Sequence, residues 1–296
     1  LAIGSHLDPG QWRDLAAAAE LAHLSFLIIE PGSGRSRLDP LLVASLLAPL
    51  TFTVAVVPKV QVTHLEPFHI SKALATIDHL SAWRGAPRAG WVVDVDTTDA
   101  AAEIVGLRPA PSPDEAWEEA AEVADVVQRL WDSWEADAEI RDVATGRFID
   151  RDKLHYVDFE GRHFSVKGPS ITPAPPQRQP VTFVAAGVDT APVQEFADIL
   201  LVDEDTVETT TDGRRTVLDL TVDPDRPLLE QLPVGHPHAG LNLRAEDPFA
   251  LLDLLVDSAA ELQTAGLATG SALSLRQRFG LPPAVNRYVE NHSITA

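Results

Sequence analysis

The sequence predicts an α/β fold built on a parallel sheet, either closed into a barrel or open and doubly wound. Short, continuously apolar runs recur along the chain. Helical patterns separate them. The 296 residues suit one α/β barrel formed as a single domain over 1–296. The apolar runs are Leu24–Glu30, Phe52–Pro58, Gly90–Val95, Pro180–Ala186 and Asp198–Asp203, with Thr216–Val222 as a further candidate. They are continuous rather than alternating, so each strand is expected to be buried on both faces. Helical patterns lie at Gln11–His23, Asp39–Leu47, Glu66–Leu80 and Pro113–Glu135. The last opens with Ser112 as N-cap, Pro113 at the first helical position, and the acids Asp114 and Glu115 in the first turn. Residues 145–179 interrupt the alternation with clustered glycines and prolines. They read as an inserted hairpin and loop excursion with strand-like pieces at Leu154–Phe159 and His163–Val166. Residues 204–214 read as a polar loop.

Composition narrows the function. Acids number 44 against 23 bases, a formal net charge of −21, so the surface repels nucleic acid and anionic lipid. The sequence has no cysteine, which removes disulfides, thiolate zinc sites and cysteine nucleophiles from consideration. No apolar run approaches the roughly 20 residues a membrane span needs. No signal-peptide pattern opens the sequence, and a cytoplasmic protein is expected.

Several motifs bear chemistry. His236-Pro237-His238 could pair histidines on a metal, but the flanking Pro233 and Gly235 make it read as a turn, and no metal is expected. Asp94 and Asp96 would share one face at a strand end, either holding a cation or reaching solvent. His64 follows an apolar run and precedes a helix. On a barrel such a loop lies at the C-terminal face, where active sites are built, and His64 is the candidate catalytic acid or base. The turn Ala185–Thr190 could present backbone amides to a phosphate, or serve simply as a strand-to-helix turn. No GxGxxG, GxxxxGK[ST] or GxSxG motif is present, which counts against dinucleotide-binding, P-loop and α/β-hydrolase readings.

A series of words then resembles one family in order along the chain. Ile77–Ser81 resembles "LDHLS", and Ala89-Gly90-Trp91 resembles the signature that follows it. Leu130–Trp134 is "LWDSW". Gly161–Pro169 resembles "GxxFxVxGP", and Pro175-Pro176-Gln177 with Pro180-Val181 resembles "PPQGxPV". Ala186-Gly187 matches a "QAG" loop, while Leu262–Leu267 and Leu275–Leu281 resemble "LQxRGL" and "LRERLGL". The sequence is thereby similar to the bacterial-luciferase-like flavin monooxygenases, in the nitrilotriacetate and dibenzothiophene-sulfone branch. The resemblance implies a (β/α)₈ barrel. It also implies reduced FMN supplied by a partner flavin reductase, O₂ activation on that flavin, a small organic substrate and a homo-oligomer.

Carried over by position, the resemblance implies that Glu30, Thr63, Trp117, Gly187 and Thr190 contact the cofactor. Thr63 and Thr190 would donate hydrogen bonds, Gly187 would allow close backbone approach, and Trp117 would wall the ring. The chain also departs from the pattern. Val92 stands where the family has asparagine, Gly85–Pro87 interrupt the signature, and Trp117 replaces a tyrosine. Val188-Asp189-Thr190-Ala191-Pro192 replaces the serine and glycine of the phosphate loop. Asp189 would oppose a phosphate by roughly 3 kcal/mol per charge pair at ~5 Å and an effective dielectric of ~20. Pro192 removes an amide donor. Gly240–Leu243 stands where relatives have a "DGF" strand. A second reading follows from these departures: a barrel that kept its scaffold, lost flavin, and serves as a binding or interaction protein.

Overall fold

The computed structural model describes residues 1–4, 7–32, 38–203, 206, 213–233, 238–265, 267 and 273–290. Its first half alternates strictly. β1 (Ala2–Gly4), α1 (Pro9–Leu21), β2 (Phe26–Glu30), α2 (Pro40–Leu47), β3 (Ala55–Gln61), α3 (Pro67–Ala82) and β4 (Gly90–Asp94) follow one another, and α4 (Asp99–Val105) and α5 (Pro113–Asp132) come next. Proline opens α1, α2, α3 and α5, where its missing N–H costs nothing and its fixed φ favours the helix. Asp8 with Gln11, and Ser112 with Glu115, close full capping boxes.

The excursion follows α5. It holds two antiparallel hairpins, β5 (Glu139–Asp142) with β6 (Arg147–Ile149), and β7 (Phe159–Glu160) with β8 (Ser165–Val166). It thus begins earlier than the expected residue 145, because Asp142 folds the turn by accepting from the Ala144 and Thr145 N–H groups. The expected strand at Leu154–Phe159 is confined to its last residue. Arg151–Lys153 form a 3₁₀ turn, and Asp158 sits at φ +42°, which breaks the extended run.

The chain then returns with β9 (Val181–Ala185), α6 (Ala191–Gln194), β10 (Ile199–Val202), β11 (Thr216–Thr221) and β12 (Gly240–Arg244). It ends in α7 (Pro248–Asp257), α8 (Ala259–Thr264), α9 (Leu275–Arg278) and α10 (Arg287–Glu290). β1-β2-β3-β4-β9-β10-β11-β12 form one sheet whose described pairings are all parallel. β12 packs beside β1, so the sheet is a nearly closed eight-stranded (β/α)₈ barrel. Among the described residues no α-helix separates β10 from β11 or β11 from β12.

The continuous apolar runs have a simple cause. In each strand one set of alternate residues (Leu27, Ile29, Val56, Trp91, Val184, Leu200) faces the helices, and the other (Phe26, Ile28, Val57, Val92, Phe183, Val217) fills the barrel. One strand is displaced from its expected span. β3 starts at Ala55 rather than Phe52 because the Glu20 carboxylate takes the Phe52, Thr53 and Val54 N–H groups at 2.7 to 2.9 Å. These amides are therefore not offered to a sheet ladder.

The N-terminal end of the barrel is plugged. Phe26, Phe183 and Phe279 meet with ring centroids 5.7 to 5.9 Å apart, and Leu275 of α9 packs with them. Beside the plug lies a buried polar hub. Asp78 accepts from the Ala89 N–H, the Gln177 N–H and Gln177 Nε2, and the Arg276 N–H donates to Gln177 Oε1. Arg276 also forms an ion pair with Asp198. No helix among the described residues is long and apolar enough to cross a membrane.

Candidate functional site

The inward residues change character at the C-terminal ends of the strands. β2 runs Phe26, Ile28, Glu30 along its inner face, β3 runs Val57, Lys59, β4 runs Val92, Asp94, and β12 ends in Asn242 and Arg244. The period of two thus places apolar side chains below and charges at the mouth.

These charges form one network. The Arg244 guanidinium donates to Glu30 at 2.7 Å and to Asp219 at 3.0 Å, and Asn242 Nδ2 donates to Asp219 at 2.6 Å. Lys59 Nζ lies 3.8 Å from Glu30 and 3.7 Å from Asp94. Burial pushes the Asp94 carboxyl above the usual range, with Lys59 opposing it. Burial also opposes the charge on Arg244, but Glu30 and Asp219 outweigh it and hold the guanidinium protonated. Asn242 is fully buried, and its Oδ1 has no hydrogen-bond partner among the described residues.

Two cavities flank Lys59. One, of about 130 Å³, is lined by Ile28, Glu30, Val92, Trp117 and Arg244. The other, of about 240 Å³, is lined by Gln61, His64, Leu65 and Asp96. Lys59 lines both. Together they reach the lower end of the ~300–1,000 Å³ that ligand pockets occupy.

The residues singled out from the sequence fall into three groups. Glu30 and Trp117 share the smaller cavity, and His64 lines the larger one, with a buried Nε2 that has no hydrogen-bond partner among the described residues. Thr63, on the 3₁₀ turn after β3, is buried. Its hydroxyl accepts from the Asp96 N–H and its carbonyl accepts from Arg108. Gly187 and Thr190 lie on the turn after β9, outside the lining of both cavities. The Thr190 hydroxyl is directed at the Ala185 and Gly187 carbonyls, at 2.7 and 3.1 Å, and Gln194 donates to it. In this arrangement its proton serves the turn, not a ligand.

Asp96 caps the approach to α4 through Thr98, and Asp94 pairs with Lys59. Among the described residues no group of three or more histidines and acids is placed to hold a metal. His236 and Pro237 lie outside the described residues. Sequence reasoning missed Lys59, Asp219 and Arg244. The available signal was a charge at an inward register position inside or just after an apolar run, as in Val57-Pro58-Lys59-Val60 and Leu218-Asp219-Leu220.

Comparison with known proteins agrees with this architecture. The family model described as luciferase-like monooxygenase matches residues 3–202. The chain is 33% identical over 183 residues to N-acetyl-S-(2-succino)cysteine monooxygenase of Bacillus subtilis, covering 59% of this chain and 41% of that protein. It is 34% identical over 154 residues to dibenzothiophene-sulfone monooxygenase of Rhodococcus erythropolis, covering 52% of this chain and 33% of the relative. Nitrilotriacetate monooxygenase component A of Aminobacter aminovorans is 34% identical over 150 residues, 51% of this chain and 32% of that one. The match therefore spans less than half the length of each of these relatives. Among solved structures, a riboflavin lyase with modified FMN and riboflavin superposes with a TM-score of 0.75 at 20% identity, covering 96% of this chain and 95% of that one. A long-chain alkane monooxygenase gives 0.74 at 20% identity, covering 92% and 88%. At such identity these two likenesses speak for the fold alone.

Proposed function

The chain belongs to the luciferase-like monooxygenase family, and from that premise we propose that it is a reduced-FMN-dependent monooxygenase of the two-component type. It would act on a small organic substrate at the barrel mouth and receive its cofactor from a separate flavin reductase. The observation that carries this reading is the charged, partly open mouth above an otherwise apolar barrel interior. Burying charges is costly, and packing alone gives no reason to gather five of them here.

The residues fit a flavin unequally. They suit the ring in part: Ile28 and Val92 offer an apolar floor, Trp117 a wall, and Lys59 and Arg244 N–H donors, each already paired with two carboxylates. They do not suit the phosphate at the turn after β9, where Asp189 is exposed, Pro192 lacks an N–H and the Thr190 hydroxyl is turned inward. Bound at the mouth, the reduced flavin would activate O₂ for transfer to the substrate. The protein's part is to position the ring and to exclude water. His64, at the edge of the adjoining cavity, would hold or pass a proton.

That phosphate turn specifically favours a second reading, in which the barrel kept its scaffold, lost flavin and now binds another small molecule or a protein. Gel filtration after mixing with FMN and a reducing system separates the two. Flavin absorbance travelling with the protein supports the oxygenase. Its complete absence under both redox conditions leaves the binding-protein reading.

A further inference from the structure

A third cavity lies away from the mouth, beside the phenylalanine plug at the N-terminal end of the barrel. Its volume is about 520 Å³, more than both mouth cavities together. The starts of β2 and β12 border it, with helices α7, α8 and α9. Packed interiors leave few voids larger than a water molecule, and this volume falls in the range of small-molecule pockets. Its side chains are sorted by position. Leu243, Leu255 and Leu262 line the inner part. Leu243 lies three residues along β12, on the face turned to the helices, in the apolar cluster that α7 and α8 join. The polar side chains stand at the outer end. His23 and Ser25 come from the turn before β2, His238 from just ahead of β12, and Gln277 and Arg278 from α9. No aspartate or glutamate is among the described residues that line the cavity, although the chain has 44 acids against 23 bases. Arg278 is fixed at this rim: its Nη1 donates to the Ser25 carbonyl at 2.7 Å and its Nε to the Leu273 carbonyl at 3.0 Å. Burial and the nearby Arg88 work against its charge, outweigh Glu20 and lower its pKa to about 10, so it stays protonated at neutral pH. An anion placed beside it would offset the repulsion.

We propose that this cavity is a second ligand site, separate from the mouth, that takes a medium-chain fatty acid, with the carboxylate at Arg278 and the alkyl chain along the leucines of β12, α7 and α8. Three observations select this class of ligand. Nine of the described lining residues are leucines, against two phenylalanines, and a leucine wall suits a flexible alkyl chain better than a flat ring, which gains most from aromatic faces. The cation at the rim and the lining free of carboxylates select a negative head over a positive or neutral one. Arg278 is the only lysine or arginine among the described lining residues, which matches one negative charge rather than two. The polar rim and the apolar depth thus repeat the two ends of the ligand.

The test is isothermal titration calorimetry of the whole chain at neutral pH with octanoate, decanoate and octanol, each below the concentration at which it aggregates. Decanoate is expected to bind at one site per chain, about fifteenfold tighter than octanoate, since each buried methylene gains about fourfold. Octanol, with the same chain as octanoate and no charge, is expected to bind about tenfold weaker than octanoate. Three variants locate the site. Ala259→Phe sets a ring into the cavity from the start of α8 and is expected to abolish binding of both acids, with unchanged circular dichroism. Arg278→Gln is expected to weaken decanoate about tenfold and to leave octanol as it was. Lys59→Met, at the mouth, is expected to leave decanoate binding unchanged. The proposal is overturned by any one of these results: no saturable binding of decanoate, an affinity independent of chain length, octanol binding as tightly as octanoate, full binding in a folded Ala259→Phe or in Arg278→Gln, or loss of binding in Lys59→Met.

Discussion

Replacing Asp78 with asparagine tests the polar hub beneath the barrel. Asp78 is fully buried on α3, and its carboxylate accepts hydrogen bonds of 2.7, 2.8 and 3.1 Å from Gln177 Nε2, the Gln177 N–H and the Ala89 N–H. Burial pushes its pKa up to about 6, and the three N–H donors only partly counter it. The sign of the linkage follows. In the unfolded chain the group loses its proton near pH 4, so between about pH 4 and 6 the native state holds a proton the unfolded state has released. Stability from this group therefore falls as pH rises through that window and is level above it. Between pH 7 and pH 5 the native protein should gain about 1 kcal/mol from Asp78 alone. Asparagine does not titrate, and its amide nitrogen would face the Gln177 N–H, donor against donor. Asp78→Asn should thus cost roughly 1–3 kcal/mol at pH 7, and the deficit should widen by about 1 kcal/mol at pH 5. Urea unfolding followed by tryptophan fluorescence at both pH values measures it, since Trp12, Trp91 and Trp131 are buried. Taking the difference between variant and native protein cancels the other titrating groups. A deficit that is equal at the two pH values, or no deficit at all, would mean that Asp78 does not take up a proton in the folded hub.

Three further outcomes are expected. Gly90→Ala should destabilise by roughly 1–3 kcal/mol in the same unfolding assay, because a Cβ there would stand 3.0 Å from both Leu275 Cδ2 and the Val181 carbonyl; a neutral result would mean that α9 does not plug the barrel. Burial alone would raise the Glu20 pKa, but Thr53 and the amides of Val54, Thr53 and Phe52 outweigh it and hold it below its ordinary value. Its contribution is therefore present at neutral pH and lost as pH falls through the carboxylate range. Glu20→Gln should cost roughly 1–3 kcal/mol at pH 7 and progressively less in acid, and a cost independent of pH would exclude the charge as its cause. Lys59→Met keeps the side-chain length and removes the cation between the two mouth cavities. It should weaken reduced FMN by roughly tenfold and oxidised FMN less, as expected for a charge-dependent contact, and equal weakening of both in a binding titration would argue against Lys59 facing the ring.

Much of the barrel could be read from the chain because both faces of its strands are buried, leaving apolar runs that periodicity detects. β1 and β12 escaped notice. β1 is three residues long, and β12 carries Asn242 and Arg244 among its leucines. The recognisable words proved to be scaffold. Asp78, Gln177 and Arg276 come from three of them and meet in the hub, while Trp131 and Trp134 of a fourth donate to the Ser71 and Ser170 carbonyls. Such contacts tolerate little substitution, so the words persist whatever the mouth binds. The mouth itself was largely illegible. Glu30, Lys59, Asp219 and Arg244 sit on four strands spread over more than two hundred residues, and only closure of the sheet makes them neighbours. Local sequence marks single charges at inward register positions, as at Lys59 and Asp219, but not which of them will meet.

Whether the mouth holds a reduced flavin ring can be measured. An anaerobic titration of the purified chain with reduced FMN, repeated with reduced riboflavin, addresses it most directly. Saturable binding of both is expected, with no advantage for the phosphate because the turn at Gly187–Thr190 offers it no cradle, and with both weakened by Lys59→Met. Absence of saturable binding by either reduced flavin would contradict it.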